Sequence, residues 1–167
     1  VQDRTIFVAD TAVNEVLNPK QMADIAEKAA DVAKRMGHDP RVALISYANF
    51  GHPNLPRAEP VRDAVAVLDQ RDVSFEYEGE MSVEVALSSK NMANYPFCRL
   101  SGPANILIMP SLHSSQIATQ LLRELGGGSV LGPLLMGLEL PAQIVPMNST
   151  VSDMVNLAVL AAHSANT

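Results

Sequence analysis

Small polar residues and glycines are the residues of this chain whose spacing is suited to chemistry. A polar run at 148–153 opens an apolar helical pattern. Ser149 or Thr150 can cap the free N–H groups of that helix, and Asp153 complements the positive end of its dipole. The same N–H groups and hydroxyls can also bind an anion. Capping alone explains these residues, so anion binding needs support from elsewhere.

A glycine cluster precedes this run. Gly126-Gly127-Gly128 is followed by Gly132-Pro133 and by Gly137. No Gly-Lys-Ser/Thr follows, which excludes a P-loop, and Leu131 stands where a dinucleotide fingerprint has its last glycine. We expect the first three glycines to end a helix. At Gly132, Pro133 and Gly137 a ligand can instead approach the main chain closely.

The remaining reactive residue types lack a supporting pattern. The four histidines are dispersed without metal-ligand spacing, and no serine lies in a Gly-x-Ser-x-Gly elbow. Cys98 has no evident activating base, which favours a packing role. Glu78 and Glu80 flank Gly79, a pattern typical of an ordinary solvent-exposed turn. We therefore predict no catalytic residue and no metal site.

Strand and helix patterns alternate along the chain, and this alternation indicates an α/β fold with a parallel or mixed sheet covered on both faces. The predicted strands are residues 5–9, 42–46, 73–77, 105–109 and a strand-like 142–145. The predicted helices run from Pro19 to the stop at Gly37, around 61–68, over 113–125 and over 151–162, with a short helix inside 82–97.

Ligands of open α/β sheets bind beyond the carboxyl ends of the strands. Four segments are predicted to lie there, namely 46–51, 78–80, 110–113 and 147–153. Each segment taken alone is more often a plain strand-to-helix loop than a binding site.

Composition narrows the class of protein. The chain has 167 residues, enough for one domain with a sizeable core, and a formal net charge of −6 without a basic run. Nucleic acid is therefore a poor partner. No apolar stretch approaches a membrane span, and no signal peptide is visible. A lone Cys98 is compatible with a reducing cytoplasm. The last helix is apolar around much of its circumference, so we expect it to be buried against another domain or subunit.

Six ordered blocks together resemble the phosphate acetyl/butyryl transferase family, and more closely the phosphotransacetylase-like C-terminal module of bacterial NADP-dependent malic enzymes. The Ser-x-x-Asn-Phe-Gly loop and the Asp-Met-Val-Asn ending are the features that favour this second group. The blocks are Ala9-Asp10-Thr11-Ala12-Val13-Asn14, Val42-Ala43-Leu44-Ile45-Ser46 with Asn49-Phe50-Gly51, Glu78-Gly79-Glu80-Met81, Gly102-Pro103-Ala104-Asn105-Ile106-Leu107-Ile108-Met109-Pro110, Gly132-Pro133-Leu134-Leu135-Met136-Gly137, and Val151-Ser152-Asp153-Met154-Val155-Asn156.

The resemblance implies a three-layer α/β/α sandwich with a mostly parallel sheet, of which this chain is the second subdomain. Residues 1–145 form that subdomain, and residues 146–167 return toward a first subdomain outside this chain. It also implies an acyl-CoA and phosphate cleft between the subdomains. The ligand-binding residues expected from this chain are Ser46, Asn49, Gly51, Gly132, Pro133, Gly137, Asn148, Ser149, Thr150 and Asp153.

For function, the resemblance implies a non-catalytic module that senses acetyl-CoA or a related acyl-CoA and holds subunits together in a homo-oligomer. A separate N-terminal domain would decarboxylate malate with NADP and a divalent metal. Active acetyltransferases carry Ser-Arg-Gly ahead of their last helix, and this chain has Pro146-Met147-Asn148 there. Methionine lacks the forked cation that arginine offers to phosphate. Two alternatives stay open, a working phosphate acetyltransferase and a purely structural dimerisation domain.

Overall fold

A computed structural model describes residues 4–126, 129–147 and 149–165. Four parallel strands form one sheet in the order β1-β4-β2-β3. The elements in chain order are β1 (Phe7–Ala9), α1 (Pro19–Arg35), β2 (Arg41–Ile45), α2 (Glu59–Leu68), β3 (Glu76–Met81), α3 (Val83–Ala86), α4 (Ser89–Met92), β4 (Ile106–Ile108), α5 (Leu112–Leu125) and α6 (Val151–Ala165).

Each face of the sheet is covered by helices, because successive side chains of a strand point to opposite faces. On one face, Val42 and Leu44 of β2 pack with the buried alanines of α1 and with α2. On the other face, Ala43 and Ile45 pack with α3, α4 and Ala118 of α5. The predicted three-layer α/β/α sandwich with a mostly parallel sheet is therefore confirmed.

Local signals explain why α1 begins and ends where it does. Asn18 and Gln21 form a reciprocal capping box, and Pro19 occupies the first turn as its fixed φ allows. Gly37, at φ +81°, takes the left-handed conformation that ends the helix. These are the start and the stop that the sequence predicts.

The predictions for β3 are wrong in two respects. The strand begins at Glu76 rather than at Val73, and Glu78-Gly79-Glu80 lies inside it rather than in a turn. Gly79 permits this, since a Cβ there would lie 2.8 Å from the Leu44 Cβ of the neighbouring strand. Glu78 and Glu80 are buried, not solvent-exposed. Arg62 of α2 compensates the charge of Glu80, and Arg99, from the loop before β4, compensates that of Glu78.

The strand-like prediction for residues 142–145 is also wrong. Within the described residues 129–147 the chain forms neither helix nor strand. Pro133, Pro141 and Pro146 lack the N–H donor that a sheet ladder or a helix requires. Gly132 and Gly137 have positive φ angles of 124° and 74°, which regular structure does not use. The boundary predicted between residues 145 and 146 remains a prediction.

The two last helices are poorly covered. Leu121 and Leu125 of α5 are exposed, and Leu157 is the only buried residue of α6. Val151, Val155 and Val159 of α6 face solvent in this chain. No helix of the described residues is long and apolar enough to cross a membrane.

Candidate functional site

The β2–α2 loop (residues 46–58) contains the first three predicted ligand-binding residues, Ser46, Asn49 and Gly51. Each of them already has a partner within the protein. The Ser46 hydroxyl accepts a hydrogen bond from Ala48 N at 3.3 Å. Asn49 Oδ1 accepts one from Ser82 N at 2.7 Å. Gly51 N donates to a buried carboxylate, described below.

Glu80 is that carboxylate, and its side chain is fully buried behind the loop. Its Oε1 accepts hydrogen bonds from Gly51 N at 2.9 Å and from Arg62 Nη1 at 3.1 Å. Phe50 N donates to the Glu80 main-chain oxygen at 2.9 Å. Glu80 therefore fixes the middle of the β2–α2 loop through both its side chain and its main chain.

A second group of predicted residues meets at the start of α6. Gly132, Ser149 and Asp153 line a cavity of about 80 Å³ together with a cation, Arg123, from the last turn of α5. We call this space the Arg123 cavity; its other lining residues are Val130, Pro146 and Leu157. Pro133 follows Gly132 in the chain, and Asn148 lies outside the described residues.

Helix capping organises this group. Thr150 precedes α6, and its hydroxyl accepts a hydrogen bond from Asp153 N at 3.2 Å. Asp153 Oδ2 accepts from Thr150 N at 2.9 Å and from the Thr150 hydroxyl at 2.8 Å. These bonds from Thr150, followed by the charge of Arg123, hold the pKa of Asp153 below its ordinary value. The capping interpretation is therefore confirmed, with Thr150 rather than Ser149 as the cap.

Arg123 is the residue of this cavity that sequence reasoning missed. An arginine in the last turn of a helix ordinarily complements the helix dipole, so its position carries no signal for a site. Only the packing of α5 beside residues 130–153 brings it to Ser149 and Asp153. No hydrogen bond or ion pair joins Arg123 to another residue in the described part of the chain. Its guanidinium is thus available to an anionic ligand.

Gly137 lies away from both groups, at a second cavity. It lines a cavity of about 140 Å³ between the end of α1, residues 134–143 and the end of α6. A Cβ at Gly137 would lie 3.0 Å from Lys28 Nζ, so the glycine allows the segment to cross α1 closely. Gln143 Oε1 accepts a hydrogen bond from Leu135 N at 3.0 Å, which links the two ends of the segment 135–143.

The predicted site residues therefore fall into three places within this chain. Ser46, Asn49 and Gly51 lie in the β2–α2 loop, which bonds to the end of β3. Gly132, Ser149 and Asp153 line the Arg123 cavity, and Gly137 lies against α1. Met147 is fully exposed to solvent at 106% of its reference area. Among the residues described, no group of three or more His, Cys, Asp or Glu side chains is arranged to hold a metal ion.

A second buried carboxylate, Glu78, is tied to Arg99. Glu78 Oε2 accepts hydrogen bonds from Arg99 N at 3.0 Å and from Arg99 Nε at 3.1 Å. Arg99 Nη1 also donates to Asp69 at 2.6 Å, and its guanidinium lies 4.6 Å from the centre of the Tyr77 ring. The bonds from Arg99 and then Tyr77 lower the pKa of Asp69. This network anchors Arg99 to β3.

The parallel sheet with helices on both faces defines a three-layer α/β domain. The chain belongs to the phosphate acetyl/butaryl transferase family, whose sequence model matches residues 1–162. It is 55% identical over 164 residues to an NADP-dependent malic enzyme of Rhizobium meliloti, covering 98% of this chain and 22% of that protein.

Two further relatives are phosphate acetyltransferases. The chain is 30% identical to a phosphate acetyltransferase of Bacillus subtilis, with 98% of this chain and 51% of that protein covered. A solved phosphotransacetylase from Streptococcus pyogenes superposes with a TM-score of 0.93 at 27% identity, over 99% of this chain and 50% of that one. The resemblance seen in the sequence is thus confirmed. The chain spans about a fifth of its malic enzyme relative and about half of these acetyltransferases.

Proposed function

We propose that this chain is the acyl-CoA-sensing and oligomerising C-terminal module of a cytoplasmic NADP-dependent malic enzyme. The observation that carries the proposal is the 55% identity to a malic enzyme across nearly the whole of this chain. Because the chain accounts for 22% of that relative, the oxidative decarboxylation of malate to pyruvate belongs to the rest of the protein. That part would bind NADP and a divalent metal.

Met147 argues against acetyl transfer by this module. An active acetyltransferase needs a strong donor for the phosphate, and loss of one such donor costs ~3–4 kcal/mol, or ~10²–10³ in rate. Methionine donates no hydrogen bond, and the Met147 side chain projects into solvent. Asp153 persists, but its capping bonds with Thr150 account for it without catalysis.

The Arg123 cavity supports binding of an anionic ligand instead. Arg123 supplies a permanent charge, Ser149 a hydroxyl, and Gly132 a main chain without a side chain in the way. A phosphate group of acetyl-CoA or of a related acyl-CoA is the expected occupant. The cavity is smaller than a whole coenzyme A, so the rest of the ligand would be bound by other residues, among them the β2–α2 loop of this chain and parts of the parent protein outside it.

The full-length protein provides the test. Malate-dependent reduction of NADP should be present and should change as acetyl-CoA is titrated, while arsenolysis of acetyl phosphate should be negligible. Absence of malate oxidation, or a malate oxidation indifferent to acetyl-CoA, contradicts the proposal. Appreciable arsenolysis would favour the acetyltransferase alternative. A thermal shift that responds to no CoA ester would favour the purely structural dimerisation domain.

A further inference from the structure

Glu80 is an unusual residue for the interior of a β-strand. Its side chain has no exposed area, and its nearest cation, Arg62, is 30% exposed. Burying a carboxylate costs several kcal/mol unless excellent hydrogen bonds compensate. Only one of its two oxygens is compensated here: Oε1 accepts from Gly51 N and Arg62 Nη1, whereas Oε2 is buried without a partner among the described residues.

A second polar atom near Glu80 is also buried without a hydrogen-bond partner among the described residues. This atom is the Ser82 hydroxyl oxygen. An unsatisfied buried acceptor costs ~1–3 kcal/mol. Glu80 and Ser82 therefore form an energetically costly polar strip at the end of β3, directly behind Asn49 and Gly51 of the β2–α2 loop. Replacing a buried ion pair by apolar residues of similar volume is often neutral or stabilising, so the burial of Glu80 needs a reason other than stability.

The β2–α2 loop depends on this strip for its conformation. Phe50 has a φ of 51° and Gly51 a φ of 86°, so two successive residues adopt the left-handed region, which disfavours a side chain such as that of Phe50. Glu80 holds both residues, the first through its main-chain oxygen and the second through Oε1. Arg62 extends the restraint along the loop, since its Nη2 donates to Asn54 Oδ1 at 2.8 Å.

We propose that Glu80, with Arg62, is a positioning residue that sets the β2–α2 loop in the conformation that binds the acyl-CoA ligand. The inference rests on the proposed function and adds to it a residue that touches no ligand. Glu80 acts through Phe50 and Gly51, which it holds in the loop that follows β2, next to Asn49. Its cost in stability is the reason to assign it to positioning rather than to core packing.

The test exchanges Glu80→Gln in the full-length protein. Glutamine keeps the size of the side chain and an oxygen for Gly51 N, but it removes the charge that faces Arg62. The matched control is Glu76→Gln in the same strand, where Glu76 Oε2 accepts hydrogen bonds from Ser101 N and the Ser101 hydroxyl, both at 2.9 Å. Calorimetric titration with acetyl-CoA should give a Kd raised about fivefold or more for Glu80→Gln and unchanged for Glu76→Gln.

Hydrogen exchange supplies a readout that does not depend on the ligand. The amides of Phe50 and Gly51 should exchange faster in Glu80→Gln than in the wild type, with β2 amides unchanged. Arg62→Gln, which alters a partly exposed side chain, should reproduce both effects even if Glu80→Gln folds poorly.

The outcomes separate the two proposals. If the wild-type protein does not bind acetyl-CoA, the proposed function fails, and this inference fails with it. If the wild type binds but Glu80→Gln and Arg62→Gln bind as tightly as Glu76→Gln, the positioning role is overturned while the proposed function stands. Unchanged exchange at Phe50 and Gly51 in both variants would also overturn it.

Discussion

Arg123 and Asp10 are two residues whose roles follow from their surroundings rather than from their types. Arg123 lies in the last turn of α5, yet it lines a cavity with the first turn of α6. Asp10, directly after β1, stabilises the turn that follows by accepting hydrogen bonds from its main-chain N–H groups. Its Oδ1 accepts from Ala12 N and Val13 N, both at 3.1 Å, and its Oδ2 accepts from Asn14 N at 2.9 Å.

At Arg123, the expected effect is on ligand affinity. Arg123→Gln in the full-length protein should raise the Kd for acetyl-CoA about tenfold, which corresponds to ~1.4 kcal/mol, because a permanent cation beside the phosphate is lost. Glu124→Gln, one residue further along the same exposed turn, serves as the control and should leave the Kd unchanged. Equal Kd values for wild type and Arg123→Gln would remove the Arg123 cavity from the proposed site.

At Asp10, the expected effect is on stability. Partial burial raises the pKa of Asp10, but hydrogen bonds from Ala12, Asn14 and Val13 outweigh it and hold the pKa below its ordinary value of 3.8. The ionised form therefore stabilises the fold above about pH 4, and this contribution is lost as the pH falls through the lowered pKa. Asp10→Ala should lower the free energy of unfolding by ~1–3 kcal/mol at pH 7.

The pH dependence of this effect distinguishes it from a general packing defect. Urea denaturation should show the difference between wild type and Asp10→Ala shrinking as the pH is lowered from about 5 to about 2. Asp31→Ala, at an exposed position of α1, should change stability little at any pH. A difference at Asp10 that stays constant across this range would mean that the carboxylate charge is not what stabilises the turn.

At the scale of elements, the sheet and the last two helices differ in how they are held. The strands β2 and β4 are buried between two layers of helices, and Val42, Leu44, Ile106 and Ile108 have no exposed area. In contrast, α6 contributes one buried residue, Leu157, at 2% exposure. Leu157 is therefore the most deeply buried side chain by which α6 packs on the described part of this chain.

This difference predicts the effect of shortening one side chain. Leu157→Ala should remove ~2–5 kcal/mol of packing and should release α6 from the rest of the domain. Hydrogen exchange should then show faster exchange of the α6 amides, with β2 and β4 still protected. Val155→Ala on the same helix, at 55% exposure, is the control and should leave α6 protected. Equal protection in both variants would show that α6 has another attachment.

For the whole molecule, exposed apolar surface is the dominant feature. Leu121, Leu122 and Leu125 of α5 are 44–81% exposed, and Val151, Val155 and Val159 of α6 are 55–76% exposed. Large apolar patches mark interaction surfaces. The chain also makes up only 22% to 51% of the relatives described above, so other parts of a parent protein are available to cover such surfaces. Contacts with a second subunit are another way to bury these apolar side chains.

We predict that the 167-residue chain forms dimers or larger assemblies, as expected for an oligomerising module. Light scattering should give a mass at least twice 17.9 kDa. The double variant Leu121→Glu, Leu125→Glu should shift the mass toward the monomer, because two charges replace exposed apolar side chains on α5. Leu55→Glu, at a 46% exposed position of the β2–α2 loop, is the matched control. A monomeric wild-type chain contradicts the prediction.

Local patterns explain which parts of the fold were predictable. Aliphatic runs identified β1, β2 and β4 within one or two residues, and the capping signals of α1 and α6 are used as expected, because these interactions join residues that are close in the chain. The exception is β3. In the sequence, Glu78 and Glu80 have the pattern of turn residues. They can lie inside a buried strand because Arg62 and Arg99, which are distant in sequence, neutralise them.

Sequence alone was therefore sufficient for the α/β class, the parallel sheet and the family. Tertiary structure decided what no local pattern encodes: the burial of Glu78 and Glu80, the approach of Arg123 to Ser149 and Asp153, and the division of the predicted ligand residues among three places. The physical reason is that propensity and capping act over a few residues. Charge compensation and cavity shape depend instead on groups brought together by the packing of separate elements.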